Sequence, residues 1–194
     1  MIAQQIKQKA LSLFAAKGYD ATSLDLIAAE VGRKKPTLYS HFSGKEQLFL
    51  AVFNEAIQGE IQYLDDFYAR HRQLPFDEVL FSLIASYKER YTSDDNLKLI
   101  LYHGFIIPQV HEDTIKNALN TYFEHKEQLA RGRFAEAASQ LAVDIDSAVL
   151  AYSNLLEGML VELIYAGPDR FDRRLASSWQ IFMRGILQAC KDKA

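Results

Sequence analysis

Three observations predict an all-α fold. Apolar residues recur at helical spacing along most of the chain. No useful length alternates with the two-residue period of a strand. No Asn-Gly or Asp-Gly hairpin signal occurs, and the sparse glycines and prolines fall between the periodic segments.

The elements follow in order. The first helix carries Ile6, Ala10, Leu13 and Phe14 on one face and stops at Gly18, a C-terminal cap. Thr22 or Ser23 caps the second helix, and Asp25 lies favourably at its positive end. Its apolar face is Leu24, Ile27, Ala28 and Val31, and Gly32 ends it. A four-residue turn leads to Pro36, suited to a helix's first position because its missing donor is not needed there. This short third helix reaches His41-Phe42. After the break SGKE, a fourth helix is predicted over residues 45–72, with Arg70, His71 and Arg72 near its negative end. Pro75 opens the next helix. Pro108 breaks the chain after the segment 97–107, and a long helix follows over 112–140. Two last helices cover 144–166 and 169–190, divided by Gly167-Pro168. About nine helices result, with no internal repeat and no flexible linker. The chain divides into a head, residues 1–47, and a helical body, residues 48–194, joined through a shared helix.

Charge separates the same two parts. The formal net charge is −3, yet residues 1–47 hold seven lysines and arginines against four acids, so the head is +3 and the remainder −6. A basic head on an acidic body fits a chain that meets polyanions at one end. Cys190 is the single cysteine, which excludes an internal disulfide framework and makes a reducing compartment the default. The N-terminus MIAQQIKQKA lacks the layout of a signal peptide. The longest apolar stretches, such as 99–107, are too short or too interrupted to span a bilayer. A soluble, cytoplasmic protein without a membrane partner is expected.

Three short helices with a tight turn between the second and third make a helix-turn-helix, whose third helix can enter a major groove. The chemistry suits that place. Lys34, Lys35 and Lys45 supply cations for phosphates or guanine edges, and Thr37 can donate or accept. Tyr39 and His41 can reach backbone oxygens, and Pro36 offers an apolar edge to a thymine methyl. Each residue also has a plainer reading. Thr22, Ser23 and Pro36 suit helix starts in any protein, and a three-base run is usually a solvated turn. Tyr39 fits packing or phosphate equally, whereas Leu38 and Phe42 read as core.

Residues 6–50 resemble the DNA-binding domain of the TetR family of transcriptional repressors. The resemblance lies in Leu13-Phe14, Gly18-Tyr19, Thr22-Ser23, Ile27-Ala28, Gly32, the run Thr37-Leu38-Tyr39-x-His41-Phe42, and Lys45-Glu46. It implies a homodimer on a palindromic operator in double-stranded DNA, and a variable helical body that takes a small molecule and then releases the DNA. It also implies that Lys35, Pro36 and Thr37 approach bases, while Thr22 or Ser23, Tyr39, His41 and Lys45 hold phosphates. Lys34 and Ser40 are weaker candidates for either role. Arg33 departs from the family, which usually has a small branched apolar residue after Gly32. An arginine there must turn its head outward, where it can add a phosphate contact.

In the body, AVLAYSNLLEGMLVELIY, residues 148–165, is apolar nearly all round, and the last helix shows two apolar rows. Pairing of these helices across a two-fold axis accounts for both, with Tyr152, Leu156, Leu160, Leu175, Trp179, Phe182 and Ile186 as interface candidates. A fully buried central helix in a monomer is the alternative. Tyr87, Tyr91, Tyr102, His103, Phe123, Asn154 and Glu157 are candidates to line a pocket for a hydrophobic effector. Glu157, if it faces the pocket, favours a cationic one. Binding that favours a swung fourth helix would alter the separation of the heads. No His-Glu-x-x-His, Glu-x-x-His or Cys-x-x-Cys motif, phosphate loop or nucleophile elbow occurs, and His103, His111 and His125 lack ligand spacing. Neither catalysis, nor a metal, nor a cofactor is expected. A helical protein-interaction module without sequence-specific DNA binding is the rival function.

Overall fold

The structure, a computed structural model, describes residues 1–105 and 112–188. The predicted break at Pro108, His111 and Cys190 lie outside the described residues. Among the described residues the fold is all-α, as predicted. It comprises α1 (Ile2–Lys17), α2 (Leu24–Val31), α3 (Lys35–Tyr39), α4 (Lys45–Arg70), α5 (Phe76–Ser93), α6 (Asp95–Phe105), α7 (Glu112–Glu136), α8 (Ile145–Ala166) and α9 (Pro168–Ile186), with a 3₁₀ turn at Ala138–Gln140. They pack as two compact units. Met1–Gln62 with Ser93–Tyr122 form the first, and Tyr63–Thr92 with the chain from Phe123 onward form the second.

In the first unit Ile6, Ala10 and Phe14 of α1, Ile27 and Ala28 of α2, Leu38 of α3, and Leu48, Phe49 and Phe53 of α4 form one core. The Phe49 ring stands edge-on to Phe14 at 5.1 Å and to His103 of α6 at 4.9 Å. Gly18 ends α1 with φ 77 and ψ 174, a region open essentially to glycine alone. The Tyr102 hydroxyl would lie 2.8 Å from a Cβ added there. Gly167 has nearly the same backbone angles but open space around it. Gly167→Ala should therefore report backbone strain alone, about 1–3 kcal/mol. Gly18→Ala should cost more, because Tyr102 must also shift. Urea denaturation checks the order, and equal losses would show that the Tyr102 contact is immaterial.

In the second unit α8 packs along α9. The Asp144 side chain accepts the Ser147 N–H at 2.8 Å and caps α8, and these bonds hold its carboxyl below the usual range. The buried Tyr152 hydroxyl donates to the Leu80 carbonyl at 2.9 Å, and burial raises the phenol's pKa well above its ordinary value. Contrary to the expectation from sequence, α8 is long and apolar enough to cross a membrane by length and composition. Half of that stretch is buried inside the protein, and its buried Glu162 meets Arg170 at 3.1 Å and Arg174 at 2.9 Å. These are the marks of a core helix.

Element ends differ from expectation where local bonding decides them. The third helix begins at Lys35, so Pro36 takes its second position, where no intrahelical donor is needed either. The fourth stops at Arg70. The last helix, expected to reach residue 190, stops at Ile186. There Leu187 turns extended and pairs with Leu141, the Ala142 N–H donating to the Ile186 carbonyl at 2.7 Å.

Candidate functional site

The turn between α2 and α3 is built by caps. The Ser23 hydroxyl accepts the Leu26 N–H at 3.2 Å. Gly32 closes α2 in the left-handed region, φ 67 and ψ 34, with its N–H on the Ala29 carbonyl, while Arg33 N–H reaches the Ala28 carbonyl at 2.9 Å. Leu38 then points into the core and fixes the rotation of α3.

That rotation leaves Arg33, Lys34, Pro36, Tyr39, Ser40 and His41 exposed, with Lys35 and Thr37 partly so. Tyr39 is 52% exposed, so between packing and surface it lies on the surface. Lys35 is tethered: its ammonium donates to the Asp25 carboxylate at 2.8 Å, which raises its pKa. Both partners are well exposed and screened by solvent, so a phosphate or guanine edge can displace Asp25 at little cost. Arg33 turns its head outward, as its position after Gly32 requires.

Two candidates are placed differently. Thr22 is buried, and its hydroxyl donates to the carbonyls of Gly18 at 2.8 Å and Leu13 at 3.3 Å. Of the pair Thr22 and Ser23, only Ser23 is therefore at the surface. The Lys45 ammonium donates to the Tyr19 carbonyl at 3.0 Å and lies 4.0 Å from the centre of the Tyr19 ring. It pins the loop after α1 to the start of α4. Burial, then Glu46 and Asp20, raises the Tyr19 pKa.

The body candidates separate as well. Tyr102 and His103 belong to the first unit, where His103 is buried against Phe49 and Phe53. Tyr87 is fully buried in the second unit and Tyr91 half-buried, while Asn154 is exposed on α8. Phe123 and Glu157 do come together, around a residue that sequence reasoning misses. Lys126 is 1% exposed, 3.4 Å from Glu157 and 4.9 Å from the centre of the Phe123 ring. Among charges in EHKEQ it reads as a solvated residue. Its signal is the spacing 126, 130, 133, a buried stripe of α7.

Burial lowers the Lys126 pKa from 10.5, with Glu157 opposing the shift. From that depressed value up to 10.5 the unfolded chain binds more protons than the folded one. The stability of the wild type relative to Lys126→Met should therefore rise with pH across this window, the buried tyrosines cancelling in the difference. Urea titrations at stepped pH check this, and a flat or falling difference contradicts it.

The interface candidates fall into two groups. Tyr152, Leu156, Leu160, Leu175 and Ile186 are buried inside the second unit of a single chain, and Trp179 and Phe182 are half-buried in an aromatic cluster with Tyr152. The first five pack within the chain, and Trp179 and Phe182 keep part of their surface outside. The large apolar residues that α8 and α9 leave exposed are Leu150, Tyr165 and Ile181, at 55%, 74% and 72%.

With this geometry in hand, residues 6–52 match the family described as bacterial regulatory proteins, tetR family. Residues 6–52 thus form a DNA-binding domain of the tetR-family type. The chain is 33% identical over 92 residues to IcaR of Staphylococcus epidermidis, a negative transcriptional regulator of the biofilm operon icaADBC, covering 45% of this chain and 48% of that one. It is 43% identical over 70 residues to the transcriptional repressor ComR of Escherichia coli, covering 36% and 30%. The chain thus spans half or less of the length of these relatives. SmeT, the repressor of the Stenotrophomonas maltophilia multidrug efflux pump SmeDEF, superposes over 97% of this chain and 91% of its own with a TM-score of 0.67 at 18% identity, which shows a shared fold. The relatives are transcriptional regulators rather than enzymes.

Proposed function

We propose that this chain is a TetR-family protein, a cytoplasmic, ligand-responsive transcriptional repressor that binds a palindromic operator as a homodimer. The head, residues 1–47, reads the DNA, and the body, residues 48–194, pairs with a second copy and takes the effector. The observation that carries the reading is the outer side of α3. Pro36 and Tyr39, with Lys35 partly exposed, stand outward on a short helix flanked by the exposed Lys34 and His41, locked by Leu38 and preceded by a Ser23-capped α2. Base contacts fall to Lys35, Pro36 and Thr37, and phosphate contacts to Ser23, Arg33, Tyr39 and His41. Lys34 and Ser40 serve either role. Lys45 acts by positioning the loop, and reaches a phosphate only by leaving Tyr19.

The surface for a second copy is the outer face of α8 and α9: Leu150, Asn154, Gly158 and Tyr165 with Ser177 and Ile181. Small residues let two helix pairs approach, and large apolar ones fill the seam. Two-fold pairing sets two α3 helices against successive major grooves. An effector that prefers the released form need bind it only about 2.7 kcal/mol better to weaken DNA binding 100-fold.

Footprinting on the promoter of its own gene tests the reading. A protected site with two-fold symmetry is expected, and the absence of any preferred site would point to the protein-interaction module instead.

A further inference from the structure

Two cations occupy the buried stripe of α7. Arg133 is a brace. Its guanidinium donates to the carbonyls of Arg72 and Leu74, just past the end of α4, and meets Glu136 at 2.7 Å. Lys126 sits differently. Its ammonium faces the Glu157 carboxylate at 3.4 Å and the Phe123 ring, keeping 2% of its side chain in water while Glu157 keeps 45%. A buried ion pair is commonly no more stable than apolar side chains of the same volume. A methionine would fill this stripe without desolvating a charge.

The asymmetry of the pair gives it a use. Glu157 can turn into solvent and regain its hydration, whereas the Lys126 side chain is buried almost throughout. An arriving carboxylate can therefore replace Glu157 on the ammonium. We propose that Lys126 is the anion-binding residue of the effector site, and that the effector is a small monocarboxylic acid with an apolar body. One cation matches one negative charge, and a dianion would bring a second charge into a desolvated position. The Phe123 ring offers the apolar body a wall. An amine is disfavoured because it would meet the ammonium, and the Glu157 charge that suggested a cationic ligand is already countered. The proposal rests on the effector reading above and names the chemistry of its ligand.

The test uses the full chain with hexanoic, octanoic and decanoic acids, each beside the alcohol and the primary amine of the same length, below their aggregation concentrations. Binding is read by Trp179 fluorescence and thermal shift. The acid should bind at least about 10-fold tighter than its alcohol. Lys126→Met should bring the acid to the alcohol's level. Glu157→Gln, which removes the exchangeable carboxylate and leaves the ammonium, should tighten the acid and not the alcohol. Equal binding of acid and alcohol, an acid preference that survives Lys126→Met, or no binding by any acid overturns the proposal. Should Lys126→Met fail to fold, Glu157→Gln decides, and an unchanged acid affinity there overturns it. DNA affinity is read separately. An acid held by Lys126 that leaves DNA binding unchanged keeps the site and removes the effector reading. Release by an amine or alcohol alone keeps the effector reading and removes the acid.

Discussion

Ile181→Glu is expected to give a folded monomer whose DNA affinity is weaker by about 10²- to 10⁴-fold, the loss that follows when two linked contacts become one. Ile181 is 72% exposed in the single chain, so the substitution leaves the chain's own core intact. In a two-fold interface each substitution counts twice. Burying each isoleucine contributes about 1.5–3 kcal/mol. An unpaired carboxylate buried in its place costs several kcal/mol more, so the seam opens. Leu156→Ala is the informative contrast. Leu156 is fully buried in the chain itself, so its loss should lower stability by about 2–5 kcal/mol, by leaving a cavity, without selectively breaking the dimer. Sedimentation with circular dichroism separates the outcomes. A dimer that persists in Ile181→Glu places the interface elsewhere.

Lys35→Ala should reduce operator affinity by about 1–3 kcal/mol, or roughly 5- to 150-fold, and should also narrow the gap between operator and unrelated DNA. Tyr39→Phe should weaken both DNAs about equally, because a phosphate contact carries no sequence information. Neither change should disturb folding. Tyr39 is half exposed, and the Lys35 link to Asp25 is a surface pair of little energy. Asp25→Asn supplies the opposite sign: it frees Lys35 and removes a negative charge beside α3, so affinity should rise. Competition anisotropy with the operator and a scrambled duplex reads all three. If Lys35→Ala leaves discrimination unchanged, Lys35 is a phosphate contact and the reader must be sought at Thr37 or Pro36.

The head is legible in sequence because local rules govern it. Gly18, Ser23, Gly32 and Pro36 mark helix ends through backbone chemistry that acts within a few residues, and Leu38 declares its own side by spacing from Phe42. What stays open there is direction, as with Thr22 and Ser23, adjacent residues of equal capping chemistry. Tertiary packing decides it by drawing Thr22 onto the carbonyls of Leu13 and Gly18. The body is legible as helices but not as faces. A helix that is apolar nearly all round shows that two sides are covered without showing which lies inside. Tyr152 and Leu156 therefore read as seam residues, and Leu150 and Tyr165 do not. Lys126 is hidden for the opposite reason, a charged residue whose burial is set by tertiary packing and whose partner Glu157 is distant in sequence. The end of α9 depends on the pairing of Leu187 with Leu141, which no local signal announces.

The central claim is that the outer side of α3 reads DNA in a paired protein, and the salt dependence of binding tests it most directly. The protein is titrated against its footprinted site and against a scrambled duplex across a range of salt concentrations. A steep linear fall of log affinity with log salt is expected on both DNAs, with the operator retaining about 10³-fold or more over the scrambled duplex. In Lys34→Ala the slope should drop by about one for each phosphate no longer neutralised. Affinity indifferent to salt, or equal on the two duplexes at every salt concentration, would contradict the account.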